Sequence, residues 1–339
     1  MRIVHAANFS VFKYGANYYF TDDKISNGLI RNGHYVYNFS YRDVARSENW
    51  LKTKSLGKKK ANLKLIETCQ NVKPELLLLG HTEIIDPQTL SHIKELIPFI
   101  KIAMWFVDPL WMEHHHENII AKLPFLDCFF ATTSGTLLKE FKRSTNTVAY
   151  LPNMCDPSVE THQNFTKTAL TYDFAFCGRD YKEPERQAFL VSLHQNVSTL
   201  SSKFCGCLNY KPLFGSDYYD LLANTSMSMS YNRRNDVELY MSDRIVQLTG
   251  NGILTFSPRI PKMELLYSDD EVVYFDTLED LSEKIQYFQK EIQKRQHIAQ
   301  KGWEKTQHSF NNTRITKYMI ETIFNQALSE NYEWKDERF

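Results

Sequence analysis

Glycine is scarce, 12 in 339 residues, so each one is read as marking a turn or a close backbone approach. No apolar run reaches the roughly 18 residues that a membrane-spanning helix requires. Neither charge is in excess: 40 Lys+Arg against 40 Asp+Glu give a formal net charge of zero. A general nucleic-acid binder would carry a basic surplus, so that class is set aside. The opening residues, MRIVHAANFS, hold one basic residue and a short strand-like run, without the architecture of a signal peptide. A cytoplasmic location is the expectation. Cys205-x-Cys207 has no second Cys/His pair at zinc spacing. The six cysteines are therefore expected as reduced thiols, with Cys205 and Cys207 as small apolar residues of a strand. No internal repeat or low-complexity segment stands out.

What is present is ordinary globular material, 42% hydrophobic and 24% charged. The length suggests two domains at about 100–200 residues each. Strand-like and helix-like runs alternate through the first half. RIVHAA (2–7) is a β run, DDKISNGLIRN (22–32) a helix stopped by Gly33, and Tyr35–Phe39 a second strand. A polar, lysine-rich stretch and a helix to about Val72 lead to ELLLLG (75–80). That run is apolar on both faces, which only a sheet covered on both sides can bury. Helix 89–96, strand 101–107, helix 113–123, strand 127–131, helix 136–142 and strand 148–151 continue the pattern. Such alternation implies a parallel, doubly wound sheet.

LPNMCDP (151–157) interrupts the alternation and reads as a linker. A second alternation follows, with strands near 173–177, 203–207, 226–231, 252–256 and 271–275, and a long helix from Leu278. The final helix, 313–328, carries Ile315, Met319 and Ile323 on one face. The expected fold is α/β, two Rossmann-like domains facing across a cleft. The first is 1–152, with helix 313–330 packing back on it, and the second is 153–312. Ligands of such sheets bind beyond the carboxyl ends of the strands.

Several segments carry a resemblance. SDRIVQLTGNG (242–252) is followed by ILTFSP, then EVVYFDTLEDLSEKIQYF, then HIAQKGWEKTQHSF. GLIRNGHYV ends the first helix, and LPNMCDP stands at the crossing. In this order they resemble the group 1, spore-maturation (CgeB-like) glycosyltransferases of GT-B fold. The likeness spans most of the second half and reaches the first half at fold level. It implies transfer of a sugar from a nucleotide-sugar donor, held by the second domain, to a glycan or lipid-linked acceptor held by the first. Bacterial surface polysaccharide or glycoconjugate synthesis is the implied setting. The family has Glu three residues after the Arg of the donor helix; here Arg244 is followed by Gln247. An amide still hydrogen-bonds two hydroxyls but bears no charge.

Ser242, Asp243 and Arg244 open a helix, whose free N–H groups and positive end suit a phosphate, with Arg244 adding a fork. An ordinary Ser cap and a surface Arg would look the same. Gly250 and Gly252 bracket the following turn, as a close approach to ligand or as a helix stop. Gly178 and Arg179 follow the first strand of the second domain, at a phosphate position or a plain turn. Tyr231, Asn232 and Arg233 follow another strand end, where a nucleotide base can be met or a solvated turn formed.

In the first domain Asp108, His81 and Asp43 follow strand ends, and each is a candidate to deprotonate an acceptor hydroxyl or to attack a sugar. Asp108 before Pro109 is also a common turn. Trp105 and Trp111 flank Asp108 and offer faces for a sugar ring. His114, His115 and His116 are consecutive, about 100° apart on a helix, so they do not converge on one ion. No D-x-D occurs. No metal and no cofactor are expected, with helix dipole and Arg in the cation's place. Lys52, Lys54, Lys58, Lys59, Lys60 and Lys64 cluster around Trp50. They form a solvated face or a peripheral contact with an anionic membrane. A nucleotide-sugar epimerase or hydrolase of the same fold, or a non-catalytic sugar-nucleotide or glycan binder, are the competing functions.

Overall fold

The computed structural model describes residues 1–180 and 183–339. The chain divides into two compact units, one of 1–152 with 312–339 and one of 153–311.

The first unit runs β1 (Arg2–Ala7), α1 (Thr21–Arg31), β2 (Tyr35–Ser40), α2 (Tyr41–Ser47), α3 (Lys58–Val72), β3 (Leu76–Gly80), α4 (Pro87–Leu96), β4 (Lys101–Phe106), α5 (His116–Ile120), β5 (Cys128–Ala131), α6 (Gly135–Lys139) and β6 (Thr147–Tyr150). Its six strands are all parallel in the order β2-β1-β3-β4-β5-β6. Every residue of β3 is buried, which is why LLLLG needs no polar alternation. Residues 113–123 form only a 3-10 turn and the single short helix α5, since Pro124 bounds the segment.

The second unit runs β7 (Tyr172–Cys177), α7 (Pro184–Asn196), β8 (Ser202–Cys205), α8 (Gly215–Ala223), β9 (Thr225–Met229), α9 (Arg244–Gly250), β10 (Leu254–Pro258), β11 (Val273–Phe275), α10 (Leu278–Lys290) and α11 (Ile292–Ser309). Its sheet is parallel in the order β11-β10-β9-β7-β8. Phe174, Phe176, Met227, Met229, Leu254 and Phe256 alternate inward from three adjacent strands and build its core. The long helix expected from Leu278 is two helices, parted at Glu291.

The chain then returns to the first unit with α12 (Asn312–Ile323), which lies against α1. Gly28 of α1 permits this: a Cβ there would stand 2.3 Å from the Asn312 carbonyl oxygen. Asn312 Nδ2 donates to the Lys24 carbonyl at 2.9 Å. The helix is shorter than the expected 313–330, because Asn325 turns the backbone to φ 51. The tail beyond it buries Tyr332 and Trp334 against Tyr318. It ends antiparallel to β6, where Phe339 and Val148 exchange N–H···O bonds of 2.8 and 3.0 Å. Among the described residues no helix is long and apolar enough to cross a membrane.

Candidate functional site

In the second unit, β7 and β9 are central neighbours, and the loops leaving their carboxyl ends meet the start of α9. They enclose a cavity of about 190 Å³ lined by Arg179, Arg186, Tyr231, Asn232, Arg233, Tyr240, Ser242 and Arg244. Four guanidinium groups thus edge one small space. Arg244 donates from Nε to the Cys177 carbonyl at 2.7 Å and from Nη1 to the Tyr231 carbonyl at 3.2 Å. Its guanidinium lies 5.1 Å from the Phe176 ring centre. Arg186 donates to the carbonyls of Arg179, Tyr231 and Asn232 at 2.7–2.8 Å. Burial, with Arg244 beside it, lowers the Arg186 guanidinium to about 10. Both arginines therefore knit the two loops together while keeping Nη2 toward Gly178. A Cβ on Gly178 would meet Arg244 Nη2 at 2.9 Å and Arg186 Nη2 at 3.1 Å. Only glycine leaves room for two guanidinium edges over the strand end. Two cations so close repel unless an anion sits between them.

Glu183 answers part of this charge, accepting from Arg233 at 3.0 Å and lying 3.7 Å from Arg186 Nε. Arg179, the Arg of the Gly178–Arg179 pair, is exposed at the rim. Tyr231 stacks on Phe189, with centroids 4.3 Å apart and planes within 8°. Asn232 joins the loops, taking the Ser242 N–H at 2.8 Å. Ser242 Oγ in turn accepts the Arg244 N–H at 3.3 Å.

The other expected donor residues lie outside the cavity lining. Helix α9 has only seven residues, with Asp243 as its cap. Asp243 takes the Gln247 amide N–H at 3.0 Å, and Gln247 Oε1 accepts from Tyr218 at 2.8 Å. Gln247 is buried in that chain of contacts. Gly250 and Gly252 are at the opposite end of α9. There a Cβ on Gly250 would meet Glu160 at 3.1 Å, and one on Gly252 (φ +71) would meet Phe165 at 2.7 Å. Both allow close packing. Arg233, expected beside Tyr231 and Asn232, is in the lining, whereas Arg186 and Tyr240 are additions that the sequence alone does not single out. The signal for Arg186 was its place in the first turn of a Pro-started helix directly after β7.

In the first unit, β3 and β4 pair so that Gly80 stands opposite Trp105. His81 and Asp108 therefore leave adjacent strand ends, and Nδ1 of His81 is 3.4 Å from Oδ2 of Asp108. The two candidates for one role are partners. His115 Nε2 is 3.9 Å from the same carboxylate oxygen. His81 packs on Phe106 at 4.5 Å and edge-on to Trp105 at 5.6 Å. Burial lowers the His81 pKa below the ordinary value, against the raising pull of Asp108. The imidazole is thus neutral at pH 7 and able to accept a proton. His81 and Thr82 both lie at φ 44, a strained pair for residues with side chains. Next to them Glu83 accepts from Tyr41, from Arg42 Nε at 2.9 Å and from Lys54 at 2.8 Å. Burial pushes its carboxyl up, but those donors outweigh it and hold it at about 2.

Asp43 stands apart from this pair. It accepts the Val11 N–H at 2.7 Å and the Ser40 hydroxyl at 2.6 Å, and pairs with Arg46 at 3.3 Å. The expected sugar-stacking face of Trp105 is ruled out: the ring is fully buried and its Nε1 donates to His5 at 2.9 Å. The His114 and His115 ring centres lie 3.9 Å apart with planes tilted by 44°, while His116 turns to the Leu110 carbonyl. Among the described residues no group of three or more His, Cys, Asp or Glu side chains could hold a metal ion.

Two parallel Rossmann-like sheets, with the chain returning to the first at its end, define the GT-B class of fold. Residues 162–321 match the family model described as glycosyl transferase-like. HepE of Anabaena, solved with UDP, is similar over 96% of this chain and 100% of its own, at 13% identity and a TM-score of 0.53. Sucrose-phosphate synthase of Thermosynechococcus elongatus is similar over 96% and 98%, at 8% identity and a TM-score of 0.59. A glycosyltransferase of Rickettsia africae aligns over 96% and 98%, at 10% identity and a TM-score of 0.52. No curated protein matches the sequence.

Proposed function

We propose that the chain is a glycosyltransferase taking a nucleoside diphosphate sugar as donor, with its phosphates between Arg186 and Arg244 over Gly178. The single observation that carries this is the convergence of two guanidinium edges, Arg186 buried and Arg244 half-buried, on a glycine at a strand end. HepE also binds UDP-glucose, which puts uridine donors first in any panel. The family-model match supports transfer over the epimerase, hydrolase and binder alternatives. The order of motifs in 242–309 supports a place in the spore-maturation (CgeB-like) group.

The acceptor is a glycan or a lipid-linked sugar of surface polysaccharide or glycoconjugate synthesis, handled on the cytoplasmic side. Its hydroxyl loses a proton to Nε2 of His81, while Asp108 orients the ring through Nδ1. The new C–O bond forms at the anomeric carbon as the bond to the diphosphate breaks. The charge left on the diphosphate is met by the arginines in place of a metal ion. No cofactor takes part. The test is nucleotide release from a panel of nucleotide sugars, with and without acceptor. Acceptor-dependent release supports a transferase. Release or isomerisation without acceptor means a hydrolase or epimerase, and binding without turnover means a binder.

A further inference from the structure

The lysine-rich segment of the first unit is not the open cationic face that its sequence suggests. Lys54 pairs with Glu83, Lys58 with Asp86, Lys60 with Glu48 and Lys64 with Glu67. Among the described residues only Lys52 and Lys59 of that run have no carboxylate partner. What the segment leaves uncovered is apolar. Trp50 is 88% exposed, Leu56 60%, Leu63 57% and Leu51 50%. One such residue is ordinary, but four between 50 and 63 are not.

Helix α3 has two apolar faces for this reason. Ala61, Leu65 and Cys69 enter the core. Leu63 and Ile66, with Leu56 before the helix, line an open groove of about 590 Å³ together with Lys58 and Lys59. Trp50 and Leu51 project from the loop just ahead, tied at its base by Asn49 to the carbonyls of Ala45 and Thr53 at 2.8 and 2.7 Å. A nearly bare indole, exposed aliphatic side chains and two ammonium groups without a carboxylate partner thus fall within one short surface segment, 50–66.

We propose that Trp50–Ile66 docks on the surface of an anionic phospholipid bilayer. Indole rings settle at the headgroup level of a membrane, and lysine stems lie along apolar surface while their charges reach phosphate. Interfacial binding grows with buried apolar area plus attraction to anionic lipid, and the segment supplies both. A second copy of the chain fits less well. A two-fold contact through this face would bring the Lys52 and Lys59 charges of both copies into one interface. The docking goes beyond the transferase reading and is measured without donor.

The experiment is co-sedimentation of the full chain with vesicles of equimolar phosphatidylglycerol and phosphatidylcholine, and with pure phosphatidylcholine. Binding to the anionic vesicles is expected to exceed that to the neutral ones by tenfold or more, and to fall with salt. Lys52→Glu with Lys59→Glu should remove that preference, a loss of roughly thirtyfold. Trp50→Ser with Leu51→Ser should weaken binding to both vesicles. All four positions are exposed, so thermal midpoints should not move. Absence of binding by the parent chain at low salt would overturn the proposal, as would binding that both double variants retain. Concentration-dependent self-association without lipid, abolished by Trp50→Ser with Leu51→Ser, would assign the segment to a second copy instead.

Discussion

His81 and Asp108 are 27 positions apart in the chain, yet their side chains meet at 3.4 Å because β3 and β4 are neighbours in register. On the proposed reading, Asp108 orients the His81 imidazole and the two act as one unit. Asp108→Asn and His81→Ala should each cut transfer by roughly 10²-fold or more and leave donor binding intact. The double variant should be little worse than His81→Ala alone. Burial lowers the imidazole pKa, so the acid limb of the rate profile should fall below its ordinary 6.5. Near-normal transfer by both single variants would remove the pair from the chemistry.

At the donor site, Arg244→Ala should weaken binding of UDP, or of whichever nucleoside diphosphate binds best, by roughly 1.5–3 kcal/mol. Gly178→Ala tests the same site without removing a charge. The methyl group must displace Arg244 and Arg186, whose Nη2 atoms would lie 2.9 and 3.1 Å away. Affinity should fall by about tenfold in a folded protein, as calorimetry would record. An unchanged affinity in Gly178→Ala would show that the phosphates bind elsewhere.

Turnover should persist in EDTA. On the proposed reading, the arginines lining the cavity would supply the positive charge that a divalent ion otherwise brings to a leaving diphosphate. Activity lost to chelator and restored by magnesium or manganese would contradict this.

His5 should contribute a loss of stability in acid to the first unit. It is fully buried, accepts from Trp105 Nε1 at 2.9 Å and bonds Ser26 Oγ at 2.8 Å. Burial lowers its pKa to about 3 from 6.5. The unfolded chain therefore takes up a proton below pH 6.5 that the folded chain refuses, and this contribution to stability is lost as pH falls toward 3. The slope is up to about 1.4 kcal/mol per pH unit. Asp22 and Asp23, raised by burial to about 6 and 7, work in the opposite sense, so the comparison must be with a variant. His5→Gln, read by urea titration between pH 7 and 4.5, should lose stability less steeply than the parent. Parallel slopes would count against this account.

The strands were legible because burial on two faces leaves an unmistakable apolar run, as in LLLLG and KIAMWF. Helix ends were less so: α12 stops at Ile323 through a backbone turn at Asn325 that its polarity does not announce. Arg244 could be read from its motif, whereas Arg186 offers only its place in the first turn of a Pro-started helix, since its value comes from carbonyls on other loops. The lysine run misled in the same way. Lys54, Lys58 and Lys60 meet carboxylates brought to them by the fold, and local charge counting cannot see those.

The end of the chain, laid antiparallel along β6, is also a guard. Without Glu337 and Phe339, the N–H groups of Val148 and Tyr150 would face outward from the β6 margin of the sheet. A bare strand margin recruits strands from other molecules. Ser134 Oγ clamps the guard by donating to Glu337 at 2.5 Å, and Trp334 anchors it from within. A chain cut after α12 would keep its candidate residues and lose its protection against assembling with itself.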